Sequence, residues 1–324
     1  MKYLCVEVWD SKQQLAEFAS KVNDNYDRII IFGQNEHNIT IVEQYNLDTN
    51  KIDVLTGAST YHIPKTYKST GWDTWFFIKT YAQLLSNSTN LNFLRKLLHQ
   101  KSFKRSFASF NYRAHDHRCH MIDALAKHNL IDIGLIAWHW MDNASDYQFE
   151  YFQNRRIWLD DAYHETGRWH TLPKEYEHTF AHLVSESTMD AVFITEKTAI
   201  PILHFKPFLV SGPKHFYKRL DELGIERFTE LFDYSFDDVD DHKLRAQMVV
   251  ENINRIARLP EHHLAELHEK IKPKLAHNFY KVEQIVYDFD NWHPLAKECI
   301  EQSKVLGYPL NTWINNSYQL LTVK

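Results

Sequence analysis

Short apolar runs alternate with stretches of helical spacing along this chain, stop at a polar segment, and then begin again. Lys2–Trp9, Arg28–Gly33 (Arg-Ile-Ile-Ile-Phe-Gly), Ile39–Glu43 and Lys51–Leu55 read as strands. Ser11–Lys21 and Trp72–Leu85 read as helices, with Leu15, Phe18 and Ala19 on one face of the first and Ser11 as its cap. Asn87–Lys104 is polar and then basic. Beyond it Ser106–Asn111, Gly134–Trp140, His182–Ser185 and Pro207–Val210 read as strands. His117–His128, Thr195–Phe205 and Lys214–Leu223 read as helices, the second kinked or shortened by Pro201 and the third stopped by Gly224. Leu244–Ala257 and His262–Leu275 are amphipathic, and Tyr280–Gln302 reads as a long helix interrupted near Trp292–Pro294. Strands separated by helices specify parallel sheets with helical cover.

The expected fold is therefore α/β, with an N-terminal domain over residues 1–100 and a C-terminal domain over 101–324. A length of 324 residues suits two domains, each able to bury a core. No run of 18 apolar residues is present, so no membrane span is expected. Glu7 interrupts the stretch where a signal peptide needs apolar residues. Cys5, Cys119 and Cys299 are far apart and form no CxxC pair. That usage reads as a reduced, cytoplasmic protein, in the host cytoplasm if it is viral. A net charge of −5 argues against a large nucleic-acid footprint but not against a local basic groove.

Glycine narrows the chemistry. Only 8 of 324 residues are glycine, against a usual share of roughly 7%. No two lie within nine residues of each other, so neither GxGxxG nor GxxxxGK[ST] occurs. A bound phosphate would have to be held by side-chain cations and helix N-termini.

Two constellations supply such groups. Asn111-Tyr-Arg113-Ala-His115-Asp-His117-Arg118 falls where a strand ends and a helix begins, the place where open α/β sheets bind ligands. Arg113 and Arg118 could clamp a diphosphate there, or form a solvated loop paired to nearby acids. Ser185 to Lys197 joins the next strand to its helix. Thr195 can cap that helix, Glu196 can accept ribose hydroxyls, and Lys197 sits in a first turn whose dipole it opposes unless an anion binds. An ordinary capped helix with a Glu–Lys surface pair would carry the same letters.

Glu186 and Glu196, ten residues apart, are followed by Lys197, an apolar helix and Pro207-Phe-Leu-Val-Ser-Gly212. This resembles the donor-binding segment of the fucosyltransferase-like GT-B glycosyltransferases, which reads E-N-S, a gap, D-Y-x-T-E-K, a helix and P-x-V-x-G. His117-Arg118 after a strand resembles the family's arginine-bearing phosphate turn. With Asp233-Tyr-Ser-Phe236-Asp237-Asp238, the blocks also resemble phage and environmental glycosyltransferase-like proteins. The resemblance spans residues 104–258. Ser187, Val192 and Phe193 replace the family's Asn, Asp and Tyr, so no particular base or sugar is implied. The resemblance implies two Rossmann-like domains facing a cleft and a nucleotide-sugar donor with no further cofactor. It puts Glu196 on the ribose, Lys197 and an arginine on the diphosphate, and Glu186 near the donor sugar.

Metal ligands are not expected. His115, His117 and His120 lack tetrahedral spacing, and HExxH is absent. Asp288-Phe289-Asp290 has DxD letters but lies late, in a helical pattern. Metal-independent neutralisation by cations is favoured, with inversion implied by the resemblance. The base that deprotonates the acceptor hydroxyl is sought at N-terminal strand ends, among Glu7, Asp10, Glu36 and His37, and Glu36 is chosen. The acceptor would be a glycan or a hydroxymethylated DNA base. Lys101, Lys104, Arg105, Arg155 and Arg156 could supply a basic groove for DNA. The rival expectation is a non-catalytic glycan-binding protein on the same fold, stacking sugars on Trp138, Trp140, Trp158 and Trp169.

Overall fold

The computed structural model describes residues 3–8, 26–33, 48–57, 65, 68–86, 91–139, 147–153, 155–157, 159, 172–306 and 313–322. The chain divides into two compact units, Met1–Asn87 with Gln284–Lys324, and Ser88–Glu283. Residues 284–324, grouped on sequence with the second domain, therefore belong to the first unit. Among the described residues no helix is long and apolar enough to cross a membrane.

In the first unit β1 (Tyr3–Val8), β2 (Arg28–Gly33), β3 (Ile52–Thr56) and β4 (Lys68–Gly71) form a parallel sheet in that order. Ile30, Ile31 and Leu55 are wholly buried, as strands covered on both faces require. Helix α1 (Trp75–Ser86) buries nine of its twelve residues. Arg28 ties β2 to β3 through Asp53 at 2.6 Å. It also reaches Glu298 at 2.7 Å, on the C-terminal segment that returns to this unit. The helix expected over Ser11–Lys21, the strand over Ile39–Glu43, and Asp10, Glu36 and His37 lie outside the described residues.

The second unit holds α2 (Leu91–Leu97), β5 (Arg105–Asn111), α3 (Asp116–Lys127), β6 (Leu135–Trp138) and β7 (Thr179–Ser185). It continues with α4 (Glu196–Leu203), β8 (Phe208–Ser211), α5 (Phe216–Glu222) and α6 (His242–Ala257). All four strands are parallel, in the order β6-β5-β7-β8. The order reverses between β5 and β7. In open sheets of this kind the crevice outside the carboxyl ends at that reversal is where ligands sit. The first unit's described strands, in simple sequential order, have no such reversal.

Helix α7 (Glu261–Tyr287) runs unbroken where two helices were expected, because its apolar stripe does not stop at Leu275. Leu264, Ile271, Leu275, Phe279, Val282 and Val286 are all buried at helical spacing. The break falls later, at a 3₁₀ turn over Phe289–Asn291, before α8 (Pro294–Leu306) and α9 (Trp313–Thr322). Asp288 and Asp290 thus flank a turn and not a helix interior. Asp288 accepts a 2.7 Å bond from Asn291 Nδ2. Helix α5 ends as expected before Gly224, whose φ of +80° is a left-handed position that a Cβ would strain.

Candidate anion site at the strand reversal

The site is framed by two loops, Tyr112–His115 after β5 and Glu186–Thr195 after β7. The last register row of the sheet lies beneath them. Asn111 pairs with Trp138, and Ser185 with Ser211. The pairing of Ala108 with His182, carried three residues on, sets Asn111 beside Ser185. Residues in one row project from the same face. All four side chains are buried, and among the described residues Trp138 Nε1, Asn111 Oδ1, Ser185 Oγ and Ser211 Oγ have no hydrogen-bond partner. Native interiors pair nearly all such atoms. Four orphans in one row single out this edge of the sheet.

Glu186 fastens the second loop. Its carboxylate is wholly buried and accepts four bonds. Ser187 N donates at 3.1 Å, Thr195 N at 3.1 Å, Thr195 Oγ1 at 2.7 Å and Thr198 Oγ1 at 2.6 Å. A carboxylate so occupied cannot meet a sugar. The resemblance places Glu186 beside the donor, whereas the structure makes it the post that holds the loop to α4. Thr198, not singled out from sequence, is one turn from Thr195 and completes this hold. Replacing Glu186 by alanine orphans two hydroxyls and two N–H groups. We expect a loss of at least about 3 kcal/mol in urea unfolding, and a smaller loss for Glu186→Gln, which keeps an acceptor oxygen. An unchanged midpoint for Glu186→Ala would contradict this role.

Arg118 binds the two loops together. It is 4% exposed. Nη1 donates to Arg113 O at 3.2 Å and Nη2 to Glu186 O at 3.1 Å, while Nε has no partner. His117 Nε2 also reaches Glu186 O, at 2.9 Å, and burial pushes its pKa down to about 3, so the imidazole is neutral and donates. Burial lowers the Arg118 pKa to about 10, opposed by Glu186 and Glu196, and the guanidinium stays charged at neutral pH. Among the described residues it makes no ion pair within 4.0 Å. Glu186 and Glu196 offset the cost of burying this charge from beyond contact distance. Arg118 was expected to grip a diphosphate directly. Instead it is a fixed positive charge beneath the loops.

The reachable cations are Arg113 and Lys197. Arg113 is exposed. Thr195 caps α4, accepting from Lys197 N at 3.3 Å. Lys197 Nζ donates to Ser187 Oγ at 2.9 Å, Glu196 Oε1 at 3.0 Å and Thr195 Oγ1 at 3.4 Å. The capped helix and its Glu–Lys pair, weighed on sequence as the plain alternative, are thus both present. Arg113, Arg118 and Lys197 are nevertheless tied to the same two loops: Arg118 bonds Arg113 O and Glu186 O, Lys197 bonds Ser187, and all three act to lower the pKa of His115. No family model, curated protein or solved structure matches the chain. The function must therefore be argued from this geometry. Among the described residues no group of three His, Cys, Asp or Glu side chains could hold a metal.

Proposed function

We propose that the second unit binds a nucleotide-diphosphate sugar at the carboxyl ends of β5 and β7. The chain then transfers the sugar to a hydroxyl acceptor, a glycan or a hydroxymethylated DNA base, without a metal and with inversion. A GT-B-like arrangement of two Rossmann-like domains is part of the same proposal. One observation carries it: at the strand reversal the buried Arg118 guanidinium makes no ion pair within 4.0 Å among the described residues, Glu186 and Glu196 acting on it only from farther away, and it ties the loop that bears Arg113 to the loop that Lys197 bonds. An anion of charge −2 or more is the ligand that offsets such a cluster.

Each group then has a role. Arg113 and Lys197 contact the diphosphate. Arg118, behind them, stabilises the charge that grows on the leaving phosphate, as preorganised charge does in water-poor sites. The Lys197–Glu196 pair opens on binding. Lys197 turns to phosphate, and Glu196 is released to accept ribose hydroxyls. Ser187 loses the ammonium but keeps its backbone bond to Glu186. Glu36 remains the proposed base.

The alternative of a glycan-binding protein loses one of its four tryptophans, because Trp138 is wholly buried against Phe149 and Phe152. Titration calorimetry with pyrophosphate, UDP and GDP tests the site, and donor hydrolysis tests turnover. Pyrophosphate and at least one nucleoside diphosphate are expected to bind. Failure of all three would end this reading. Binding without hydrolysis or transfer across a donor and acceptor panel would turn it to the non-catalytic one.

A further inference from the structure

His115 lies in sequence between Arg113 and Arg118, and its ring neighbour His117 shares the Glu186 carbonyl with Arg118. His115 is exposed and takes the N-cap position of α3 with no side-chain cap bond. Its ring stacks on the buried, neutral His117, with centroids 5.7 Å apart and planes 6° apart. Arg113 lies two residues before it and Arg118 three after, and Lys197, on α4, bonds Ser187 next to the Glu186 carbonyl that His117 and Arg118 share. Asp116, the first residue of α3, opposes the three cations at His115. We propose, resting on the diphosphate site above, that His115 takes up a proton when a diphosphate binds and then holds that anion as a further cation.

In the free protein partial burial, then Arg118, Arg113 and Lys197, disfavour a fourth positive charge, and Asp116 offsets this only in part. The imidazole is therefore neutral at pH 7. A diphosphate offsets the positive charge around the ring and offers acceptor oxygens. Both changes favour the imidazolium. The proton comes from solvent, and no bond to the ligand is made or broken. Linkage fixes the sign: a group whose pKa rises on binding draws protons in, so affinity grows as pH falls toward the ordinary histidine value of about 6.5.

The test is calorimetry with pyrophosphate at pH 6.5 and 7.5, in buffers of different ionisation enthalpy, on the wild type and on His115→Gln. Glutamine is chosen because asparagine would add an N-cap acceptor. Pyrophosphate has its own protons, and these cancel in the comparison. Wild type is expected to take up about 0.5 more protons per pyrophosphate than the variant at pH 6.5, and to bind about three-fold more tightly than the variant at that pH. Equal proton uptake with intact binding overturns this inference and leaves the diphosphate site standing. No binding to either protein overturns both.

Discussion

Replacing Arg113 and Lys197 together by alanine is expected to weaken pyrophosphate binding by about 10²–10³-fold while leaving the unfolding midpoint nearly unchanged. A hydrogen bond to a charged group is worth about 1.5–3 kcal/mol, and about 1.4 kcal/mol is a tenfold change in affinity. Two such contacts, reduced by salt at an open site, give that range. Stability is spared because Arg113 is exposed, and the closer Lys197 contacts, to Ser187 and Glu196, are to half-buried groups, its bond to the buried Thr195 hydroxyl being the longest at 3.4 Å. Arg118→Ala is a less discriminating probe. It removes the bonds to Arg113 O and Glu186 O, the latter keeping His117, and opens a cavity beneath both loops, so binding and stability fall together. Calorimetry and urea unfolding on the same samples separate the two cases. Unaltered affinity in the double variant would contradict the site.

The second large effect is acid unfolding of the second unit. Tyr176, His182, His204, Lys206 and His268 are all buried. Tyr176 Oη meets His182 Nδ1 at 2.9 Å, and His204 Nδ1 meets Ile200 O at 2.8 Å. Lys206 Nζ donates to Glu177 O at 3.2 Å and to Thr179 O at 2.5 Å, and lies over the Tyr176 ring. These partners are neutral. Burial, reinforced by Lys206, pushes His182 down to about 3 and His268 to about 4. Burial outweighs the bond to Ile200 O and takes His204 to about 4. Burial takes Lys206 to about 7.

Every one of these folded pKa values lies below its unfolded one, so the unfolded chain binds more protons. Stability must therefore fall as pH falls, for the histidines from about pH 6.5 toward 3, and for Lys206 from about 10.5 toward 7. Carrying His182 and His204 from pH 6.5 to 4.5 costs on the order of 5 kcal/mol, comparable with a small domain's whole stability. The urea midpoint is expected to drop steadily from pH 6.5 to 4.5, a range above the titration of ordinary carboxylates. A flat midpoint over that range would contradict the buried neutral imidazoles.

Much of this architecture is legible in residues that act locally. Arg-Ile-Ile-Ile-Phe-Gly could only be a strand buried on both faces, and Gly224 marked a helix end because few other residues accept its φ. Thr195 was recognisable as a cap because its hydroxyl serves the turn that follows it. Contacts between distant segments left no such mark. Glu186 and Arg118 both carry charge, and charge in a loop suggests a ligand. Only burial shows that one binds Thr195 and Thr198 and the other two carbonyls. The row Trp138–Asn111–Ser185–Ser211 needs strand order and register, which no single segment contains. Residues 284–324 carry helical spacing but nothing local that says which sheet they cover. On sequence a helix ends at Leu275, where α7 runs on, because Pro273 and the polar residues near it outweigh, in a short window, a stripe that continues to Val286; the interruption expected near Trp292–Pro294 lies next to the observed turn.

The most direct measurement is a crystal structure of the protein soaked with pyrophosphate. The account predicts phosphate density about 3 Å from Lys197 Nζ and the Arg113 guanidinium, with the Lys197–Glu196 contact broken and Arg118 unmoved beneath. Pyrophosphate ordered elsewhere on the molecule, with that lysine still on its glutamate, would contradict it.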